Sequence, residues 1–228
     1  MDDLASRLAA VDARIADAAR AAGRDPASLT RIVVTKFHPA ALVAQLHRLG
    51  VRDVGENRQQ ELTGKTAELA TLTDLRWHFI GQAQTKKARA IRAAASVVHS
   101  LDRDRLADAL ERAGEDTDAV LDVLLQVNLT QDPDRGGVAP AQLERLAEHT
   151  AGCRTLRVRG IMAVAPLDEE PAAAFARLAG FAQRLRTVVP DADWISAGMT
   201  ADFGEAIAAG ATHLRIGSAI TGPRPVHD

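Results

Sequence analysis

The 228-residue chain contains no tyrosine and one cysteine, and Phe and Trp together make up only 3% of it. Each shortage excludes or weakens a chemistry. Without tyrosine there is no phenolic acid or base, and so few rings make a poor base-stacking platform for nucleic acid. The lone Cys153 leaves no internal disulfide and no cysteine-rich zinc site, which fits a reducing compartment. An excess of one charge is also missing: 28 Lys+Arg face 30 Asp+Glu, so no global field points to nucleic acid or an anionic membrane. No apolar run nears the ~20 residues needed to span a bilayer. The N-terminus opens with acids and is broken by charges, unlike a signal peptide. A soluble cytoplasmic protein is expected. Lysine is scarce as well: Lys36, Lys65, Lys86 and Lys87 are the only candidates for chemistry that needs an amine.

The hydrophobic fraction, 46%, suffices for one large core, so residues 1–228 are expected to form a single domain. Leu4, Leu8, Val11, Ile15 and Ala18 mark one face of a first helix, with Asp2 or Asp3 placed to cap it. Strands then alternate with helices. The spacing predicts strands at 32–35, 51–54, 75–80, 96–99, 120–127, 156–162, 194–196 and 213–216. Helices fall between them at 39–49, 58–69, 84–94, 103–113, 140–150, 170–188 and 202–209. Eight short strands that read as buried on both faces, joined by single helices, predict an α/β fold: a closed parallel (β/α)8 TIM-type barrel with an extra N-terminal helix. The alternative, an open doubly wound sheet, lacks its Gly-x-Gly-x-x-Gly loop after the first strand.

Barrels place their chemistry at the carboxyl ends of the strands, and those ends are polar here. The first runs into Lys36, the second into Gly55-Glu56-Asn57, and the third contains His78 and ends in Gly81. His99-Ser100, Asn128 and Met162 follow, then Ser196-Ala197-Gly198-Met199-Thr200 and Arg215-Ile216-Gly217-Ser218. An amine behind a buried strand loses hydration, which favours the neutral form that attacks carbonyls; the alternative is a lysine snorkelling out of the mouth. The last two ends offer hydroxyls and glycine N–H groups where barrels bind phosphate, although glycines after strands also simply make turns. A lysine opposite a phosphate cradle points to pyridoxal 5′-phosphate or a phosphorylated carbonyl compound. Arg215 could meet a ring nitrogen and keep it unprotonated, or pair with Glu56 or Asp202. His78 reads as a hydrogen-bonded core residue rather than a base. His38, His47, His99 and His213 have no metal-ligand spacing, so no metal is expected. Lys86, Lys87, Arg89 and Arg92 read as a solvated helix face.

Seven ordered motifs carry a resemblance: Val34-Thr35-Lys36, Gly55-Glu56-Asn57, Trp77-His78-Phe79-Ile80-Gly81, Gln126-Val127-Asn128, Arg159-Gly160-Ile161-Met162, Ser196 to Thr200, and Arg215 to Ser218. Together they resemble the pyridoxal-phosphate homeostasis protein family (YggS/PROSC type) from about residue 30 to residue 224. The resemblance implies a barrel like the N-terminal domain of alanine racemase, holding pyridoxal 5′-phosphate as an internal aldimine on Lys36. It implies Asn57 near the ring, Ser196, Met199, Thr200, Gly217 and Ser218 around the phosphate, and Arg215 at the pyridine nitrogen. His78 and Met162, at or near the ends of their strands, are expected as further cofactor-binding residues. Departures from the family pattern are Thr35 for Ser, Phe37-His38-Pro39 after the lysine, Arg58 for Tyr, Gln82-Ala83-Gln84, Thr200 for Ser, and Ile220-Thr221-Gly222. They alter the entrance around Arg58 and Thr221.

Three functions are weighed. The first is a non-catalytic carrier that holds the cofactor for vitamin B6 homeostasis, with cofactor-dependent apoenzymes as partners and a monomer as the default state. The second is a small racemase or lyase using Lys36 and either His78 or His213 as bases. The third is a Schiff-base aldolase acting on a sugar phosphate. A two-base racemase needs an acid and a base on opposite faces of the substrate carbon, and the tyrosine that alanine racemases use is absent.

Overall fold

The β-branched run after residue 29 becomes the first strand of a sheet that closes on itself. The computed structural model describes residues 4–132 and 135–224. Its strands are β1 (Thr30–Val34), β2 (Asp53–Glu56), β3 (Arg76–Phe79), β4 (Val97–Leu101), β5 (Leu121–Gln126), β6 (Leu156–Met162), β7 (Trp194–Ser196) and β8 (His213–Ile216). Neighbours pair in parallel and in chain order, and β8 returns to β1 through Thr30 opposite His213 and Val33 opposite Ile216.

Helix α1 (Leu4–Ala21) precedes the barrel. Around it run α2 (Ala40–Arg48), α3 (Gln59–Glu68), α4 (Ala88–Ala94), α5 (Asp104–Arg112), α6 (Leu143–Ala151), α7 (Pro171–Val188), α8 (Phe203–Ala208) and the short α9 (Ser218–Thr221). The chain is therefore a (β/α)8 barrel with an extra N-terminal helix, and the open sheet is excluded. The predicted caps Asp2 and Asp3 lie outside the described residues.

Side-chain alternation divides the barrel into two environments. One parity of each strand points outward to the helices: Val33, Val54, Trp77, Phe79, Val98, Val123, Leu125, Ile161, Ile195, Leu214 and Ile216 all belong to a single apolar shell. The other parity fills the interior. There, Val97, Leu124 and Met162 pack as a small separate cluster against Trp194. The remaining interior positions are mostly polar: Asp53, His78, His99, Ser196, His213 and Arg215. His78, His99, Ser196, His213 and Arg215 are at most 5% exposed.

Long arginines tie the outer layer together. Arg7 donates from Nε to Ile220 O at 2.8 Å, fixing α1 on α9, and Arg24 donates to Ile207 O and Ala211 O. Arg92 corrects the expectation of a solvated face. Its guanidinium donates to Leu110 O, Ala119 O and Thr155 O, so it caps open carbonyls rather than facing water.

Two glycines are required by close approach. In β6 the register shifts between Val158 and Gly160, leaving Arg159 as the extra residue of a bulge. A Cβ on Gly160 would lie 1.8 Å from Trp194 O, and one on Gly81 would lie 2.0 Å from Asn57 O. Gly64, inside α3, has nothing within 4 Å. Gly160→Ala should therefore destabilise by about 2–3 kcal/mol because backbone must move. Gly64→Ala should stabilise by about 0.5–1 kcal/mol through the unfolded chain. Urea unfolding midpoints check both, and equal midpoints for the two variants would contradict this packing.

Candidate functional site

Lys36 stands two residues beyond the end of β1 and is half-buried. The chain turns immediately after it. Phe37 adopts φ of 69°, a left-handed conformation costing a non-glycine residue about 1–3 kcal/mol. Glu61 of α3 holds that turn by accepting from the Phe37 amide at 2.7 Å. Below it, Lys65 donates from Nζ to Thr35 O at 2.8 Å and to Glu56 Oε1 at 2.5 Å. Thr35 Oγ1 donates to the same carboxylate oxygen at 2.6 Å. Burial pushes the Glu56 carboxyl up, against the pull of Lys65. Lys65 is thus committed to bracing the turn, whereas Lys36 forms no ion pair within 4 Å among the described residues.

The neighbouring strand ends complete one side of the mouth. Asn57 packs its backbone on Gly81, and its Oδ1 is buried without a hydrogen-bond partner among the described residues. Two guanidinium groups approach the Phe37 ring, Arg58 at 5.0 Å and Arg224 at 4.0 Å from its centroid. The departure at Arg58 therefore places a cation beside the lysine turn. Thr221 is buried in α9 and does not line an open entrance. Asn128 orders its own loop: its Nδ2 donates to Asp132 O and Arg135 O, and its Oδ1 accepts from Thr130.

On the β7–β8 side, Gly198 has φ of 89° and would clash with Ala206 Cβ if it carried a side chain. The Met199 amide donates to Asp202 Oδ1 at 2.6 Å, and its side chain is exposed. Thr200 is half-buried, and Ser218 opens α9 from an exposed position. Gly217 has room for a Cβ, with Val34 Cβ at 3.6 Å its nearest neighbour, so packing alone does not demand glycine there. Ile32 is the register partner of Arg215, which sets Lys36 and the Gly217–Ser218 turn at the ends of hydrogen-bonded neighbours.

Arg215 forms neither of the ion pairs weighed from sequence. Its Nη1 donates to Ser196 Oγ at 2.7 Å and its Nη2 to Ala163 O at 2.8 Å. Burial lowers the guanidinium to about 10, so it keeps its charge at neutral pH. Ser196 is fully buried, and its hydroxyl lies between Arg215 and His99 Nδ1, which is 3.0 Å away. His99 Nε2 is 2.9 Å from His78 Nδ1, and His78 Nε2 is 2.9 Å from Asp53 Oδ1. Of the ten expected pocket residues, Lys36, Asn57, Met199, Thr200, Gly217 and Ser218 thus lie at strand ends and loops. His78, Met162, Ser196 and Arg215 lie in the interior.

Sequence reasoning missed Asp53, Glu61 and Lys65 and set His99 aside. A signal for Asp53 and His99 existed in the strand parity, since Asp53, His78, His99, Ser196 and Arg215 share the inward-facing set. Glu61 and Lys65 are spaced as one helical face, but nothing local ties that face to the lysine turn.

The interior histidines are held neutral by burial. His99 falls well below the usual range, for burial disfavours its cation first, and a cation there would also compete with cations on His78 and His213 and repel Arg215. His78 is lowered by burial against the pull of Asp53. Burial also tends to raise the Asp53 carboxyl, but its hydrogen bond to His78 and the surrounding cationic groups leave it lowered. His213, 4.3 Å from the Trp194 ring, is lowered to about 3 by burial first and His78 second.

A closed barrel with an amine after β1 and a buried guanidinium on β8 defines the class. The family model described as the alanine racemase N-terminal domain matches residues 6–225. The pyridoxal phosphate homeostasis protein of Pseudomonas aeruginosa is 43% identical over 224 residues, covering 98% of this chain and 97% of that one. The Escherichia coli K12 protein of the same name is 37% identical and covers 98% of both chains. PipY of Synechococcus elongatus, solved without and with PLP, is 34% identical, with TM-scores of 0.87 and 0.85 over 96% of this chain and 100% of PipY. The chain belongs to the pyridoxal phosphate homeostasis protein family. Among the described residues no helix is long and apolar enough to cross a membrane, and no group of three or more His, Cys, Asp or Glu could hold a metal ion.

The neutral interior has a measurable consequence. An unfolded histidine titrates near 6.5, and folded His213 titrates near 3. Between those values the unfolded chain binds the extra proton, so stability is unaffected above about pH 6.5 and is lost as pH falls below it. His213→Gln removes that term. Its stability should fall less steeply than wild type between pH 6 and pH 4, by about 1.4 kcal/mol per pH unit. Urea unfolding across this range checks it, and parallel curves would contradict it.

Proposed function

We propose that this chain binds pyridoxal 5′-phosphate at the carboxyl end of its barrel, holds it on Lys36, and serves vitamin B6 homeostasis without turning over an amino acid. The carrying observation is that Lys36 and the Gly217–Ser218 turn end adjacent strands, with a carboxylate-free Arg215 two residues before that turn. The residues fit the group. Asn57 Oδ1, past the end of the strand next to that of Lys36, is a buried acceptor without a partner among the described residues, and Gly217 is a glycine that packing does not require.

When bound, the cofactor supplies an aldehyde carbon conjugated to a pyridine ring, together with a phosphate. Lys36 provides the amine that bonds to that carbon, with water leaving. The glutamate-braced turn aims that amine. Gly217, Ser218 and Thr200 offer N–H and hydroxyl groups to the phosphate, with the α9 N-terminus behind them. Arg215 donates to the pyridine nitrogen. A permanently charged donor there keeps the nitrogen unprotonated, so the ring is a poor electron sink, which suits storage better than turnover.

The position of the histidines also speaks for a carrier. His78 and His213, the bases a racemase or lyase would need, are 0% and 3% exposed and engaged in the barrel interior. The chain has no tyrosine to replace them. Cofactor-dependent apoenzymes are the proposed recipients, and a site built within one chain suits a monomer.

Mixing the protein with pyridoxal 5′-phosphate should give a visible absorbance band that is absent from Lys36→Ala. Borohydride should trap the reduced cofactor on the Lys36 peptide, and the variant should bind at least tenfold more weakly, about 1.4 kcal/mol. Alanine and serine should keep their configuration over hours. A free-cofactor spectrum in both proteins would overturn the binding site, and measurable racemisation would favour the enzyme.

A further inference from the structure

The barrel interior carries an arrangement that cofactor binding at the mouth does not explain. Barrel cores are ordinarily filled by branched apolar side chains, as Val97, Leu124 and Met162 do here. Beside them, four polar side chains and Arg215 form a continuous chain from the amino-terminal end of β2 to β8. Its contacts are Asp53 to His78 at 2.9 Å, His78 to His99 at 2.9 Å, His99 to Ser196 at 3.0 Å, and Ser196 to Arg215 at 2.7 Å. Burying so many polar groups is costly unless every one is paired, and here each link is.

Proton counting gives the chain one direction. The Asp53 carboxylate can only accept, so His78 carries its proton on Nε2. A neutral His78 then presents a bare Nδ1, and His99 must donate to it from Nε2. The bare Nδ1 of His99 accepts from the Ser196 hydroxyl. Ser196, having given its proton to His99, can only accept from Arg215. The reverse arrangement would put a bare His78 Nε2 against a carboxylate oxygen at 2.9 Å, two acceptors face to face. With Ala163 O accepting from Nη2, the guanidinium is held at two points and its plane is fixed.

We propose that Asp53, His78, His99 and Ser196 form a one-way hydrogen-bond chain that positions Arg215 as the donor to the pyridine nitrogen. This rests on the reading of the mouth as a pyridoxal 5′-phosphate site. His99 is the central positioning residue, since it alone joins the β2–β3 half of the chain to the β7–β8 half. The outer end is anchored where Asp53 reaches a cleft of about 440 Å³ at the opposite end of the barrel, lined also by Asp12, Arg31 and Arg52.

The test compares wild type, His99→Leu and His99→Gln. Leucine removes both the donor and the acceptor, while glutamine can supply an N–H to His78 and an oxygen to Ser196. The first readout needs no cofactor: side-chain ¹⁵N–¹H signals of Arg215, which report restricted rotation of its guanidinium. The second is the pyridine ¹⁵N shift and the release rate of ring-labelled pyridoxal 5′-phosphate. His99→Leu should lose the restricted Arg215 signals, move the pyridine shift and release the cofactor about tenfold faster, with His99→Gln close to wild type. If His99→Leu does not fold, Ser196→Ala cuts the chain one link nearer Arg215 and carries the same expectation. Unchanged Arg215 signals in a folded variant overturn the chain, whatever the cofactor does. A wild type that binds no cofactor but loses restricted Arg215 signals in His99→Leu supports the chain and overturns the site reading alone.

Discussion

The hydrogen bond between the Asp53 carboxylate and His78 Nε2 sets the chemistry of the barrel interior. A carboxylate cannot donate, and that one fact propagates through two imidazoles and a hydroxyl to a guanidinium on β8. The fold makes this possible because strand alternation gives it two separate cores. The apolar shell between strands and helices supplies the burial that stabilises the barrel, which frees the interior to hold polar groups at fixed distances. The interior pays for them in acid sensitivity, since its histidines must stay neutral.

The lysine end is built on a different principle. Lys36 follows an ordinary buried strand, and the chain turns directly after it through a strained Phe37 that Glu61 restrains, with Lys65 and Glu56 paired nearby. A second lysine thus works as a structural brace, while the first has no ion-pair partner among the described residues. Lys36 and the Gly217–Ser218 turn end adjacent strands, and the Arg215 guanidinium lies buried inside the barrel on the second of them. On the function proposed above, these groups would hold a flat, phosphorylated carbonyl compound in one pose. Members of the same family carry the name pyridoxal phosphate homeostasis protein, and one has been solved with PLP bound.

Most of the architecture was legible in the sequence because a (β/α)8 barrel repeats one local pattern. Each β-branched run became a strand within a few residues of its expected bounds. The short α9 escaped because four residues carry no period, and Arg92 was misread because carbonyls from distant loops cap it. At the site, Lys36 and the glycine turns could be read from their places at strand ends, and Arg215 from its place two residues before the last of those turns. The partner of Arg215 could not, since Ser196, His99 and Asp53 lie on three other strands and meet it only once the barrel closes. His99 has no metal-ligand spacing in the sequence, and its place in the chain of contacts follows from inward parity instead. The Lys65 brace was invisible for a similar reason: a helix returns it to the turn that precedes it.

The most direct measurement is the imidazole ¹⁵N spectrum of His78 and His99 in the cofactor-free protein at pH 7. The account predicts two neutral rings, each with its proton on Nε2 and a bare Nδ1. A charged ring, or a proton on Nδ1 of either one, would contradict it.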